Sequence, residues 1–284
     1  MSFHQHPSIF PKHVHIIVSD LTKATAFYEN IIGLHILNKT EDKVEFTANR
    51  SDVLLIIEQT QENSIHIPGA AGLYHLALLL PSKEELGALF NHIRNTGYPF
   101  SGASDHKVSE ALYLNDLDGN GIELYYDRSP ETWNWQNEQV EMTVDPLDIE
   151  GLIASATKAE WSGISSGTVM GHIHLSVLNL EKAEEFYVHA LGFDIVSRYG
   201  SQATFISSNS YHHHIALNTW GRSKAIGHND HTLGLHAFSL VYPSLETREM
   251  VVNRLQEIGA VVTVENNLVH AIDPSGAKVL LIVE

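Results

Sequence analysis

The chain has 284 residues, a formal charge of −17, 43 % hydrophobic residues and no cysteine. At roughly 150 residues per domain this length points to two domains with sizeable cores, and the acidic balance speaks against both the basic footprint of a nucleic-acid binder and docking on an anionic membrane. Zero cysteine excludes disulfides, thiolate zinc sites, iron–sulfur clusters and thiol nucleophiles, so any transition-metal site must use carboxylates and some of the 19 histidines, which outnumber the 17 lysines and arginines together. No apolar run approaches the ~18 residues of a membrane span. The first residues, MSFHQHPSIFPKH, lack a charged head and apolar core. The expectation is a cytoplasmic protein with no membrane partner.

In chain order, the first unit opens with HVHIIV (13–18), an alternating apolar stretch that reads as a strand. An amphipathic helix follows over TKATAFYENIIG, with Gly33 as its stop. Two or three further strands close the unit, ending at VLLII (53–57). A second unit starts at GLYHLALLLPS (72–82) and closes at DLDGNGIELYY (116–126), through a turn containing Asp-Gly. Residues 128–168 fit no unit and read as a long linker. Trp133, Trp135 and Trp161 would anchor it, or it is a tether.

The chain then repeats itself. HIHLSVLNLEKAEEFYVHALGF (172–193) aligns without a gap on residues 13–34, with His13/His172, His15/His174, Phe27/Phe186, Tyr28/Tyr187 and Gly33/Gly192 identical. GLHAFSLVYPS (234–244) likewise aligns on 72–82, and DPSGAKVLLIV (273–283) on 116–126. Four βαβββ modules are expected, giving an α+β protein of two paired-module, barrel-like domains. Residues 9–127 hold modules 1 and 2, and residues 169–284 hold modules 3 and 4.

Strand register sorts the histidines. His75 matches Ala237, and His236 matches Tyr74, so His236 should face the opposite side of its strand. Glu123 stands inside an apolar strand, where an ionisable group is costly unless paired or metal-bound; Leu280 takes its place in module 4. Two histidines and one carboxylate on neighbouring strands make a facial triad that leaves coordination positions open. The set read here is His75 and Glu123 from module 2 with His172 from module 3. His13 is the rival to His172 if modules 1 and 2 pair instead. His15, His174 and His236 read as hydrogen-bonded structural histidines.

These residues resemble the vicinal-oxygen-chelate superfamily of glyoxalases, bleomycin- and fosfomycin-resistance proteins and extradiol dioxygenases, over nearly the whole chain outside the linker. SDHKVSEALYLNDLDGNGIE (104–123) is similar to the extradiol ring-cleaving signature, with His106, Leu112, Tyr113, Asp116, Gly119 and Glu123 in place. Ser104 and Leu117 depart from it, and neither position carries a reactive group. YHHHIALN (211–218) is similar to the strand that bears the family's acid–base histidine, and the resemblance assigns that role to His213. In a regular strand His212 and His214 would point the other way.

The resemblance implies a catechol 2,3-dioxygenase type of enzyme: Fe(II), with Mn(II) as the alternative metal, held by His75, Glu123 and His172, and His106 and Tyr113 on the oxygens of a small aromatic diol that reacts with dioxygen. Glyoxalase-type isomerisation with nickel or zinc, or a non-enzymatic binding or resistance protein, are the competing readings. The chain departs from the family in order. In most two-domain relatives the active pair is the third and fourth modules, whereas here the signature sits in the second. The exposed modules 1 and 4 offer surfaces for a homo-oligomer.

Overall fold

In the computed structural model, residues 3–60, 67, 69–156, 161–220, 232–265 and 268–284 are described. Module 1 comprises β1 (Phe10–Ile17), α1 (Leu21–Phe27), β2 (His35–Lys39), β3 (Lys43–Thr47) and β4 (Leu55–Glu58). Module 2 comprises β5 (Gly72–Leu80), α2 (Lys83–Thr96), β6 (Gly102–Asp105), β7 (Ser109–Asn115) and β8 (Gly121–Asp127). The linker carries a short hairpin of β9 (Trp135–Gln136) and β10 (Gln139–Val140), then α3 (Ile149–Ser155). Module 3 comprises β11 (Val169–Ser176), α4 (Leu180–Glu184), β12 (Asp194–Tyr199), β13 (Ala203–Ser207) and β14 (Ile215–Asn218). Module 4 comprises β15 (Gly234–Tyr242), α5 (Leu245–Glu257), β16 (Val261–Glu265), β17 (Leu268–Ile272) and β18 (Lys278–Val283).

Each module turns from its first strand into its helix at a residue that caps the orphan N–H groups. Asp20, Ser82, Asn179 and Ser244 accept from the backbone N–H three residues on. In modules 1 and 3 the helix widens into a π-helical turn, Tyr28–Ile32 and Glu185–Ala190. Gly33, at φ 84°, ends the first of these in the left-handed region that favours glycine.

Two eight-stranded sheets, with the helices packed on them, make the α+β fold. One runs β16-β17-β18-β15-β1-β4-β3-β2 and the other β12-β13-β14-β11-β5-β8-β7-β6. The central seams are antiparallel, β1 on β15 and β11 on β5. Module 1 therefore shares a sheet with module 4, and module 2 with module 3. The sheets do not follow a division into 9–127 and 169–284, because the opening strand of each module finds its partner across the linker. Sequential neighbours stay joined by other means. Tyr28 donates to Asp116 at 2.9 Å, Tyr187 donates to Asp273 at 3.0 Å, and Arg254 Nε donates to the Ala190 carbonyl at 2.9 Å.

The described parts of the linker are fastened to the modules. Trp133 is buried and packs on Tyr211, and Leu152 of α3 is buried in the core. Trp161 stacks on His92 with ring centroids 4.5 Å apart. Gly87 of α2 has no room for a side chain: a Cβ there would meet the Leu152 carbonyl oxygen at 2.5 Å.

Candidate metal centre

The sheet of modules 2 and 3 sets a row of side chains across four strands. His172 on β11 lies opposite Ala77 on β5, Ala77 beside Glu123 on β8, and Glu123 opposite Tyr113 on β7. Ala77 is small and fully buried, which leaves the space between His172 and Glu123 to their own side chains. The register of β11 slips between Met170 and His172 and again between His174 and Leu175. Bulges of this kind re-aim side chains and are common beside active sites. Gly171, inside the first slip, lies so close to its neighbours that a Cβ would sit 2.0 Å from the Tyr125 hydroxyl.

His75, Glu123 and His172 converge. Their Nε2, Oε2 and Nε2 atoms lie 3.0 Å (His75–Glu123), 3.2 Å (His172–Glu123) and 3.3 Å (His75–His172) apart. The three residues are 8 %, 3 % and 1 % exposed. Among the described residues this is the one group of three or more histidine, aspartate or glutamate side chains close enough to share an ion. Burial pushes His172 down to about 4, with Glu123 opposing and His75 adding to the effect. Burial alone would raise the Glu123 carboxyl, but the His172 and His75 imidazoles outweigh it and hold it well below the usual range. A buried carboxylate facing two imidazole nitrogens is a donor set that fits a divalent cation: a lone buried charge is costly, and a metal satisfies all three atoms together.

The remaining histidines divide by what their nitrogens do. His174 faces His75 directly across the seam, yet its Nε2 accepts from Asn218 Nδ2 at 2.8 Å and is spent on that bond. His13 lies on β1 in the other sheet, where its Nδ1 accepts from Ser239 Oγ at 2.9 Å. Ala237 and Leu280 stand there in the places of His75 and Glu123. His15 sits 3.1 Å from Glu58 and against the His236 ring. Module 2 thus shares its site-bearing sheet with His172 of module 3, not with His13.

His106 and Tyr113 are joined at 2.7 Å. His106 Nδ1 donates to the Thr143 carbonyl at 2.6 Å, which leaves Nε2 to accept from the Tyr113 hydroxyl. Burial, reinforced by the Glu123 charge, holds the Tyr113 hydroxyl well above its ordinary pKa, so it stays protonated. Its ring lies 5.8 Å from that of His75.

The histidine run is not part of a strand. β14 begins at Ile215, and Asn209 and Ser210 before the run both have positive φ, 58° and 57°. The chain bends through 211–214, and regular alternation does not hold there. All three histidines are buried, at 0 %, 8 % and 0 %. His213 lies over His172 with centroids 4.1 Å apart. His214 turns away, its Nδ1 accepting from the Ser208 N–H at 3.2 Å and its Nε2 donating to the Phe3 carbonyl at 3.1 Å. His212 does not point opposite to His213: its Nδ1 meets His213 Nδ1 at 2.8 Å and its Nε2 meets Asp127 at 2.7 Å.

Asp127, Tyr125 and Tyr211 were not singled out from the sequence. The signal was available: alternation along GIELYYD puts residues 123, 125 and 127 on one face of β8. Tyr125 and Tyr211 share a 2.8 Å hydroxyl–hydroxyl bond beside the His172 ring.

The fold is one of paired βαβββ modules, and the site gathers a His–Glu–His group that could hold a metal ion. The Glyoxalase/Bleomycin resistance protein/Dioxygenase superfamily model matches residues 11–124 and 169–277, and the chain belongs to that superfamily. It is 39 % identical over 273 residues, 94 % of this chain and 95 % of the relative, to a Bacillus subtilis (strain 168) protein named catechol-2,3-dioxygenase. Two solved structures share the fold. A putative dioxygenase from Bacillus subtilis superposes with a TM-score of 0.67 at 13 % identity, covering 98 % of this chain and 86 % of that one. Glyoxalase I from Zea mays superposes with a TM-score of 0.59 at 16 % identity, covering 100 % and 95 %.

Proposed function

We propose that the protein is an Fe(II)-dependent extradiol dioxygenase that opens the ring of catechol or a substituted catechol. The observation that carries this reading is the company of the His75–Glu123–His172 group: an imidazole, His213, on one side and a phenol hydrogen-bonded to an imidazole, Tyr113 and His106, on the other. A glyoxalase-type reaction needs no such phenol–imidazole pair on the substrate oxygens. The relative named catechol-2,3-dioxygenase supports the same reading.

His75, Glu123 and His172 would hold the metal, which when bound would act as a Lewis acid on the diol and pass electrons from the diol to dioxygen. The protein's own residues do the rest. His213, neutral because burial lowers its pKa well below the usual value, takes up the proton that a catechol releases on binding. Tyr113, its hydrogen committed to His106, presents its oxygen to a substrate hydroxyl. The buried flank of Tyr125, Tyr211 and Trp133 keeps bulk water from the His213 side.

Oxygen uptake in an electrode cell tests the proposal. Iron-loaded protein should consume dioxygen when catechol is added, and metal-free protein should not. Absence of uptake by iron-loaded protein with catechol and with its alkyl- and aryl-substituted forms would refute the reading. A parallel assay with the hemithioacetal of methylglyoxal and glutathione separates the glyoxalase alternative.

A further inference from the structure

Asp127, at the end of β8, faces four groups: His212, Tyr211, Tyr125 and His4. Its neighbour Arg128 pairs with Asp105 and Glu110 instead. The Asp127 carboxylate is a pure acceptor, so the 2.7 Å contact requires His212 to carry hydrogen on Nε2. With its hydrogen on Nε2, the His212 ring offers a lone pair on Nδ1. The 2.8 Å contact between the two Nδ1 atoms is a hydrogen bond only if His213 supplies the hydrogen. His213 is left with its hydrogen on Nδ1 and a lone pair on Nε2. His212 cannot swing out of this relay: it is fully buried between the rings of Tyr211 and Trp133, at 4.0 and 5.2 Å.

We propose that Asp127, acting through His212, is a positioning residue that sets the tautomer and ring orientation of His213, keeping Nε2 as the proton acceptor. One carboxylate thereby decides which nitrogen of a ring two side chains away can act as a base. The use of His213 as a base rests on the dioxygenase reading; the tautomer itself does not.

The substitution Asp127→Asn tests this, because an amide can donate where the carboxylate only accepted. An amide N–H at position 127, aimed at His212 Nε2, would reverse both bonds of the relay and put the His213 hydrogen on Nε2. Nitrogen-15 spectra of the full chain, loaded with zinc as a diamagnetic stand-in, should show His213 protonated on Nδ1 in the wild type and on Nε2 in Asp127→Asn. Asp127→Glu, which keeps a carboxylate, should retain the wild-type pattern. Catechol turnover by the iron-loaded Asp127→Asn variant should fall on the order of 100-fold in kcat, the scale of general-base catalysis, with KM within about threefold and iron content unchanged. A wild-type spectrum with the proton on Nε2, or an unchanged tautomer in Asp127→Asn, would overturn the proposal. Neither spectrum depends on which substrate the protein takes, so failure of the dioxygenase reading is recorded separately, by the oxygen electrode.

Discussion

Tyr28 of module 1 and Asp116 of module 2 are held together by a 2.9 Å hydrogen bond in the core, and Tyr187 and Asp273 repeat it between modules 3 and 4. Asp116 also accepts from the Asn120 side chain and from the backbone N–H groups of residues 118 and 120, and Asp273 from those of 275 and 277. The aspartate orders the turn before the last strand, and the tyrosine pins that turn to the preceding module's helix. Tyr28→Phe and Tyr187→Phe each remove one partner from a buried carboxylate and should cost about 1–3 kcal/mol. The pairs share no partner, so the double variant should show the sum. Urea midpoints of the three variants give the answer; no loss in either single variant refutes the role.

Ligand identity separates cleanly by mutation. His172→Ala should lower metal affinity by more than the roughly 10–100-fold that loss of a supporting partner costs. His13→Ala should leave affinity and stoichiometry unchanged, since His13 lies against Ser239 in the other sheet. Metal analysis after dialysis decides between them, and retention of metal by His172→Ala would remove it from the ligand set.

Acid sensitivity follows from the histidines of the first sheet. Burial, with the Lys12 charge adding to it, pushes His13 down to about 4, and burial beside His236 pushes His15 down to about 3. The folded state therefore prefers both rings neutral, while the unfolded chain takes up protons near pH 6.5. Their contribution is whole above about pH 6.5 and is lost as the pH falls, by about 1.4 kcal/mol per pH unit for each histidine, down to the folded value. Replacing His13 by Gln should flatten the decline in stability between pH 6.5 and 4.5 by about that slope. Urea unfolding at stepped pH measures it, and an unaltered slope rejects the assignment.

Gly171 is a steric test of the bulge that aims His172. A methyl group there would meet the Tyr125 hydroxyl at 2.0 Å and Leu79 Cβ at 2.8 Å. Gly171→Ala should cost about 1–3 kcal/mol by overpacking and should weaken metal binding as well, because the residue precedes His172. Adding Tyr125→Phe removes the nearest atom and should restore part of both. Full stability and full metal affinity in Gly171→Ala would show that the strand shifts freely.

Local patterns carried most of the fold into view. Gly33 and the near-identical openings of modules 1 and 3 are short-range signals, and the helices and strands they mark are present. The register mismatch of His236 and the loss of a carboxylate at Leu280 were likewise readable, because strand alternation is local. Sheet order was harder to read. That β1 seeks β15 and β5 seeks β11 is decided by packing between segments far apart in the chain. The run at 211–214 misled for a related reason: its residues suit a strand, but the turn at Asn209 and Ser210 makes the chain bend before β14 starts. Asp127 was legible in principle from its spacing to Glu123, yet nothing local links it to His212, which arrives from the other half of the chain.

Crossing the linker at both seams also constrains how the chain is made. Phe10 pairs with Val241, and His75 lies opposite His174. During synthesis the first two modules emerge with their inner edges bare, and each waits for a strand not yet translated. Neither 1–127 nor 169–284 holds a complete sheet, so expressing either half leaves two unpaired seams, each a template for self-association. The His75–Glu123–His172 group is thus a late product of biosynthesis, gathered only after His172 has left the ribosome.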